Sequence, residues 1–262
     1  MPGEITVAGL KLARRLLNHK FRSTAGEFLV EGPQAVREAV RYNAARRVLA
    51  TAEAADRHPD LVDGGYERLT MEQVRRLSET MTSQAIFAIC RTPSWSSGDV
   101  WSDRSRLVVI CAQIRDPGNL GTVIRCADAF GADGVFVSRD SVDVTNPKVV
   151  RASVGSLFHL PVVSGVDLEE AVQAAHDAGF RVMAADGGGD DLNALAASGG
   201  LQGKTAWIMG NEAWGLPDSQ LALADGVVRI PMWGHAESLN LGSAAAVCLY
   251  ATASAQHARV GV

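Results

Sequence analysis

Apolar and polar positions fall into short blocks along this chain, and the blocks set the elements. Leu107–Ala112 is an unbroken apolar run between polar neighbours, the pattern of a strand buried on both faces. Similar β-branched runs predict strands at Gly134–Ser138, Leu160–Val163, Arg181–Ala185, Ala206–Met209 and Val227–Pro231. Helical spacing fits between them at Leu120–Phe130, Leu168–Ala178, Ser219–Ala224 and Ser238–Ala255. Strict strand–helix alternation implies an α/β fold: a mostly parallel, doubly wound sheet with helices on both faces. The first part alternates less regularly. Helices are expected at Val7–Asn18, Pro33–Tyr42 and Met71–Glu79, with strands at Phe28–Glu31, Arg47–Thr51 and Ala85–Cys90. This reads as a small α/β domain over residues 1–97, and Thr92–Asp99, rich in turn formers, leads to a second domain over residues 104–262.

The longest uncharged stretch, Ser238–Gln256, is long enough to span a bilayer, but its Asn, Ser, Thr and many alanines leave it too weakly apolar. A helix buried on most sides is the expectation, and at the end of a domain that points to a subunit interface. The small residues Ala244, Ala245, Ala246 and Ala251 let another helix approach closely. Met1-Pro2-Gly3-Glu4 does not open a secretory signal, and the four widely spaced cysteines form neither a zinc pattern nor a disulfide framework, which fits a reducing cytoplasm.

The net charge of −4 conceals an asymmetry. Residues 1–47 hold nine Lys and Arg against four Asp and Glu, while residues 98–262 hold eleven against eighteen. A basic amino-terminal part on an acidic chain suggests a surface facing a polyanion, although on charge alone ordinary surface variation is the commoner explanation.

Three loops carry the candidate chemistry. Each follows an apolar run and is rich in Gly, Pro and Asn: Asp116-Pro117-Gly118-Asn119-Leu120-Gly121 with Arg125 one turn on, Gly210-Asn211-Glu212-Ala213-Trp214-Gly215-Leu216, and Ile230-Pro231-Met232 followed by Glu237-Ser238-Leu239-Asn240-Leu241. Loops at strand ends of an α/β unit are where that fold builds ligand sites. Asn119 is positioned to cap the helix beginning near Leu120, and Ser238 or Asn240 to begin the last helix. Each loop alone also has an ordinary reading: a capping turn, or for Arg125 an exposed ion pair. Other signals are weak. Gly199–Thr205 has the wrong spacing for a phosphate loop and leads into a strand, and Gly187-Gly188-Gly189 is not a dinucleotide fingerprint. His159 and His235 lack metal-ligand spacing, so no metal is expected, and no serine-hydrolase elbow is present.

Together the three blocks, D-P-x-N-x-G-x-x-x-R, G-N-E-x-x-G-L and I-P-M…S-L-N, resemble the SpoU (TrmH-like) family of RNA 2′-O-methyltransferases in the SPOUT superfamily, over roughly Leu107 to Ala255. Lys148 and Arg151–Gly155 look like a further family segment, and Phe28–Pro33 with Val36 and Glu38 resembles the opening of the family's accessory RNA-binding domain. Small departures are Cys126, Ser156 and Gly242-Ser243.

The resemblance implies a carboxy-terminal trefoil knot, a homodimer and S-adenosylmethionine as methyl donor. It implies methylation of a ribose 2′-hydroxyl in RNA, with 23S ribosomal RNA favoured over tRNA. It carries the catalytic role to Arg125, Asn119, Glu212, Ser238 and Asn240, and cofactor contacts to Gly210, Ile230 and Leu239 with Met209 and Met232 beside them. Glu212 and Asn119 are expected to hold Arg125. The guanidinium of Arg125 is a poor general base because it does not lose its proton, so stabilising developing oxyanion charge is the role that physical chemistry supports. RNA contacts are expected from Lys11, Arg14, Arg15, Lys20, Arg22, Arg41, Arg46 and Arg47, where a solvated basic surface is the competing reading. A non-catalytic RNA-binding protein with the same fold is the rival function.

Overall fold

In the computed structural model, which describes residues 3–80 and 82–258, the expected apolar runs become strands. In chain order the elements are β1 (Gly3–Glu4), α1 (Val7–Arg15), α2 (His19–Ala25), β2 (Glu27–Glu31), α3 (Pro33–Arg41), β3 (Ala45–Ala50), α4 (Ala52–Arg57), α5 (Pro59–Val62), β4 (Glu67–Arg68), α6 (Met71–Leu77) and β5 (Ile86–Arg91). Then follow β6 (Leu107–Cys111), α7 (Pro117–Ala129), β7 (Gly134–Ser138), α8 (Pro147–Ser153), β8 (Val162–Val166), α9 (Leu168–Asp177), β9 (Arg181–Asp191), α10 (Leu192–Ala197), β10 (Thr205–Met209), α11 (Asp218–Leu221), β11 (Gly226–Arg229) and α12 (Leu241–His257). Residues 1–2 and 259–262, the outer limits of the two expected domains, lie outside the described residues.

The chain divides into two units, Met1–Ser94 with Asp143–His159, and Trp95–Val142 with Leu160–Val262. The first unit has a mixed five-stranded sheet ordered β1-β4-β3-β5-β2, in which β5 runs antiparallel to both β3 and β2. The expected helix Val7–Asn18 ends at Arg15 instead. Asn18 accepts the Phe21 N–H with its side chain at 3.3 Å and starts α2, a local bond that competes with helix continuation. The segment Asp143–His159 packs within this unit: Phe158 stacks on Phe28 with ring centroids 6.0 Å apart, and Arg151 donates to Glu31 at 3.3 Å. Nothing in its local pattern marks that attachment.

The second unit has a six-stranded sheet ordered β11-β9-β10-β6-β7-β8, parallel throughout. Alternate residues of β6 and β10 go to opposite faces. Val108, Ile110, Ala206 and Ile208 join a core with Leu168, Ala171, Val172 and Ala175 of α9. The opposite face carries Trp207, whose indole N–H donates to Thr252 of α12 at 2.9 Å. Buried Gln256 donates to the carbonyls of Gly203 at 2.8 Å and Arg106 at 3.0 Å, fixing the far end of α12. Helix α12 is therefore buried on one side. Ser243, Val247, Tyr250 and Ser254 form an exposed stripe on the other, with Tyr250 62% exposed. No helix among the described residues is long and apolar enough to cross a membrane.

Candidate active site

Four adjacent strands, β6, β10, β9 and β11, deliver their carboxyl ends side by side, so the segments leaving them converge. The strand expected at Arg181–Ala185 runs on to Asp191, with Gly187–Gly189 inside it. The glycine segment is an excursion of the strand, because β11 pairs with Ala184 and next with Asp190. Gly189 permits this: a Cβ there would lie 2.3 Å from the Val227 carbonyl carbon.

The segments leaving β9, β10 and β11 enclose a cleft of about 530 Å³, and the loop after β6, with Asn119 and Arg125, stands outside its lining. Met209, Val228, Ile230, Met232, Leu239 and Leu241 give it apolar walls, and Asp186, Glu212, Glu237, Ser238 and Asn240 give it polar ones. Gly210 sits at its base, where a Cβ would meet Leu216 Cγ at 2.7 Å and the Gly215 carbonyl carbon at 2.8 Å. Only a bare backbone fits there. Size and mixed lining suit an adenosyl group, whose purine edge is read by main-chain donors and acceptors.

The loops are joined by a directional chain of hydrogen bonds. The Glu212 carboxylate can only accept. It takes the backbone N–H of Arg115 at 3.3 Å, and Asp116 N–H and the Asn119 amide NH2 at 3.2 Å each. With its NH2 committed, Asn119 presents its carbonyl oxygen to the Asn240 NH2 at 2.7 Å, and the Asn240 oxygen caps α12 by accepting Gly242 N–H at 2.8 Å. Buried Asn211 closes the second loop: its NH2 donates to the Gln113 carbonyl at 2.6 Å, and its oxygen accepts Ala213 N–H at 2.8 Å. Burial, and then the Glu212 carboxylate, push the Cys111 thiol well above its ordinary range.

Two expectations differ from these contacts. Asp116, not Asn119, caps α7, accepting Asn119 N–H at 2.8 Å; Pro117 already occupies the first helical position, which moves the cap back by three residues. Glu212 and Asn119 hold each other and do not hold Arg125. Arg125 lies six positions after Asn119, about 240° around a helix, so the two face different ways. Arg125 is exposed and has no hydrogen bond or ion pair among the described residues. Ser238 lines the cleft with its hydroxyl likewise unengaged. Met209, Gly210, Ile230, Met232 and Leu239 all line the cleft together. Asp186 also lines it and escaped the sequence reading, although an acidic residue at a strand exit before three glycines is a visible cue.

The basic residues of the first unit separate into groups. Lys11, Arg14 and Arg15 of α1, joined by Arg76 of α6, line a groove of about 440 Å³ together with Val7, Leu10 and Leu17. Arg76 comes from another helix, and no local pattern points to it. Lys20 is exposed nearby in sequence. Arg22 is only 3% exposed and donates to Asp143, Thr145 and the carbonyls of Leu16 and Leu17, so its guanidinium is committed to the interior. Arg47 forms a two-point pair with Glu67, Arg46 lies 3.5 Å from Glu27, and Arg41 lies 3.9 Å from Glu38. No group of three or more potential metal ligands occurs among the described residues.

Comparison with known proteins agrees with this geometry. Residues 106–250 match the SpoU rRNA Methylase family, and residues 8–88 match the MRM3-like substrate binding domain. The chain is 32% identical over 241 residues to the 23S rRNA (guanosine(2553)-2′-O)-methyltransferase RlmP of Bacillus subtilis, covering 90% of this chain and 92% of that protein. It is 31% identical to the 23S rRNA (uridine(2479)-2′-O)-methyltransferase of Streptomyces viridochromogenes, covering 89% of this chain and 84% of that one. The crystal structure of the SpoU methyltransferase AviRb from the same organism, in complex with AdoMet, superposes with a TM-score of 0.80 at 30% identity, covering 98% of this chain and 99% of that one. The chain belongs to the SpoU rRNA methylase family.

Proposed function

We propose that this protein is an RNA methyltransferase that uses S-adenosylmethionine to methylate a ribose 2′-hydroxyl, with 23S ribosomal RNA as substrate. The observation that carries the reading is the Glu212–Asn119–Asn240 chain, which ties the first family loop to the second and third, the two that line one cleft of cofactor size. S-adenosylmethionine supplies a methyl group activated by a sulfonium. Gly210, Ile230 and Leu239 hold its adenosyl part, with Met209 and Met232 alongside. Asn119, Glu212 and Asn240 keep the loops in register, and Ser238 has a free hydroxyl for orienting the ribose. Arg125, exposed and unengaged among the described residues, offers its guanidinium to the RNA phosphate and to the oxygen as it gains negative charge. The hydroxyl proton leaves to phosphate or water, since guanidinium holds its own protons.

The exposed stripe of α12 and the ring of Phe130, which meets Tyr250 edge-on at 5.8 Å, favour a homodimer through this face. A trefoil knot in the second unit and a cytoplasmic location complete the reading. RNA binding by the first unit rests on the α1–α6 groove.

Methyl transfer from tritiated S-adenosylmethionine into unmodified 23S ribosomal RNA, followed by primer extension at low nucleotide concentration, tests the proposal and locates the nucleotide. Absence of label in ribosomal RNA and tRNA alike would refute it. Arg125→Ala is expected to lose about 100-fold or more in kcat while the Kd for S-adenosylmethionine, measured by calorimetry, stays within twofold. Arg125→Lys at wild-type turnover would remove the planar guanidinium from the mechanism.

A further inference from the structure

Two tryptophans of the second unit have structural partners. Trp207 is fully buried and hydrogen-bonded to Thr252, and Trp101 stacks on Phe136 and meets Phe180 edge-on. Trp214 and Trp233 are different. They are 54% and 86% exposed, neither ring meets another aromatic ring, and neither indole N–H has an acceptor among the described residues. Both lie on loops that build the donor cleft: Trp214 stands between Ala213 and Gly215, and Trp233 follows Met232, all three of them lining residues. Met232 and Leu239 on the second loop are also partly exposed, at 37% and 38%. Four of the seven exposed large apolar side chains among the described residues of the second unit thus sit on two cleft loops, an arrangement that marks a binding surface continuous with the cleft. Backbone geometry does not call for Trp at either place.

Charge selects the occupant's mode of binding. The second unit carries nine Lys and Arg against 17 Asp and Glu, so a polyanion reaching this cleft meets no general attraction. Stacking on an aromatic face is independent of net charge and open to every base, and it is strongest for bases already unpaired.

We propose that Trp233 is a stacking platform for an unpaired base of the RNA beside the ribose being methylated, with Trp214 offering a second platform from the neighbouring loop. The inference rests on the RNA methyltransferase reading. Trp233 acts as a positioning residue for RNA and leaves the donor untouched.

The test uses the full chain, unmodified in-vitro-transcribed 23S ribosomal RNA and S-adenosylmethionine. Trp233→Ala is expected to raise the KM for RNA about 10-fold or more, with kcat within threefold and the calorimetric Kd for S-adenosylmethionine unchanged; Trp233→Phe restores most of the loss. Titration with the RNA should quench more tryptophan fluorescence in wild type than in Trp233→Phe. An unchanged KM in Trp233→Ala would overturn the proposal. So would a KM increase that tracks dissociation of the dimer in sedimentation, because Trp233 would then be a subunit contact. If wild type transfers no methyl group to any RNA, the enzymatic reading fails, and the quenching comparison still decides whether Trp233 meets RNA.

Discussion

A carboxylate accepts hydrogen bonds and donates none, and at Glu212 this one-sidedness orders the site. Three donors converge on it, and the orientation of Asn119, then of Asn240, follows from that choice. Glu212→Gln keeps the size but places an NH2 against N–H groups, so at least one donor loses its acceptor, at about 0.5–1.5 kcal/mol because these bonds are open to water. The expected result is a kcat lower by about 10- to 100-fold and weaker binding of S-adenosylmethionine, both read on the folded protein. Wild-type kinetics in Glu212→Gln would mean that the charge has no part in holding the loops. Gly210 is the complementary case, constrained by space alone, since any side chain there meets Leu216 and Gly215.

Elements show where the site's geometry is fixed and how much of it the sequence discloses. Asn240 caps α12 and bonds Asn119, linking the third loop to the first. Asn240→Ala should cost about 1 kcal/mol, lowering Tm by about 2–4 °C in calorimetry, and loosen the first loop with it. The central strands β10, β6 and β7 were legible because each is buried on both faces and reads as a solid apolar run. The three loops were legible from their Gly, Pro and Asn content. The β9 excursion was not, because Gly187–Gly189 carry no side chains to show a period. The attachment of Asp143–His159 to the first unit was not, because it rests on partners more than a hundred residues distant in sequence, such as Arg22 with Asp143. That pair has a consequence in pH. Burial pushes the Asp143 carboxyl up, but hydrogen bonds from Arg22 and Thr145 and the Arg22 charge outweigh it and hold it below the ordinary carboxylate range. A depressed carboxylate stabilises the fold above its unfolded pKa, about 3.9, and that stability is lost as pH falls through the lower folded value. Asp143→Asn removes the countercharge of a buried arginine and should destabilise by about 3–5 kcal/mol at pH 7 in urea unfolding. The gap to wild type should narrow below pH 4, and a gap independent of pH would exclude the charge as its cause.

At the scale of the whole molecule, charge and chemistry are divided between the two units. The first carries 16 Lys and Arg against 12 Asp and Glu, the second nine against 17. Many of the first unit's arginines are neutralised by their own neighbours: Arg22 by Asp143, Arg47 by Glu67, Arg37 by Asp60 and Arg68 by Glu4. Lys11 and Arg14 have no acidic partner among the described residues, and Arg15 lies over the Phe21 ring at 3.8 Å, so the α1 side of the groove keeps its cations available, while Arg76 pairs with Glu72 of its own helix. Phosphate contacts release counterions, and each one steepens the fall of affinity with salt. Charge reversal in Arg14→Glu with Arg15→Glu should therefore weaken RNA binding and make the slope of log K against log[salt] shallower by about 1.5, while the Kd for S-adenosylmethionine is unchanged. The same reversal at Arg22 and Arg47, whose charges are already paired, should reduce stability before it alters that slope. Equal slopes for wild type and the Arg14/Arg15 variant, measured by filter binding on unmodified 23S ribosomal RNA, would move the ionic contact away from α1.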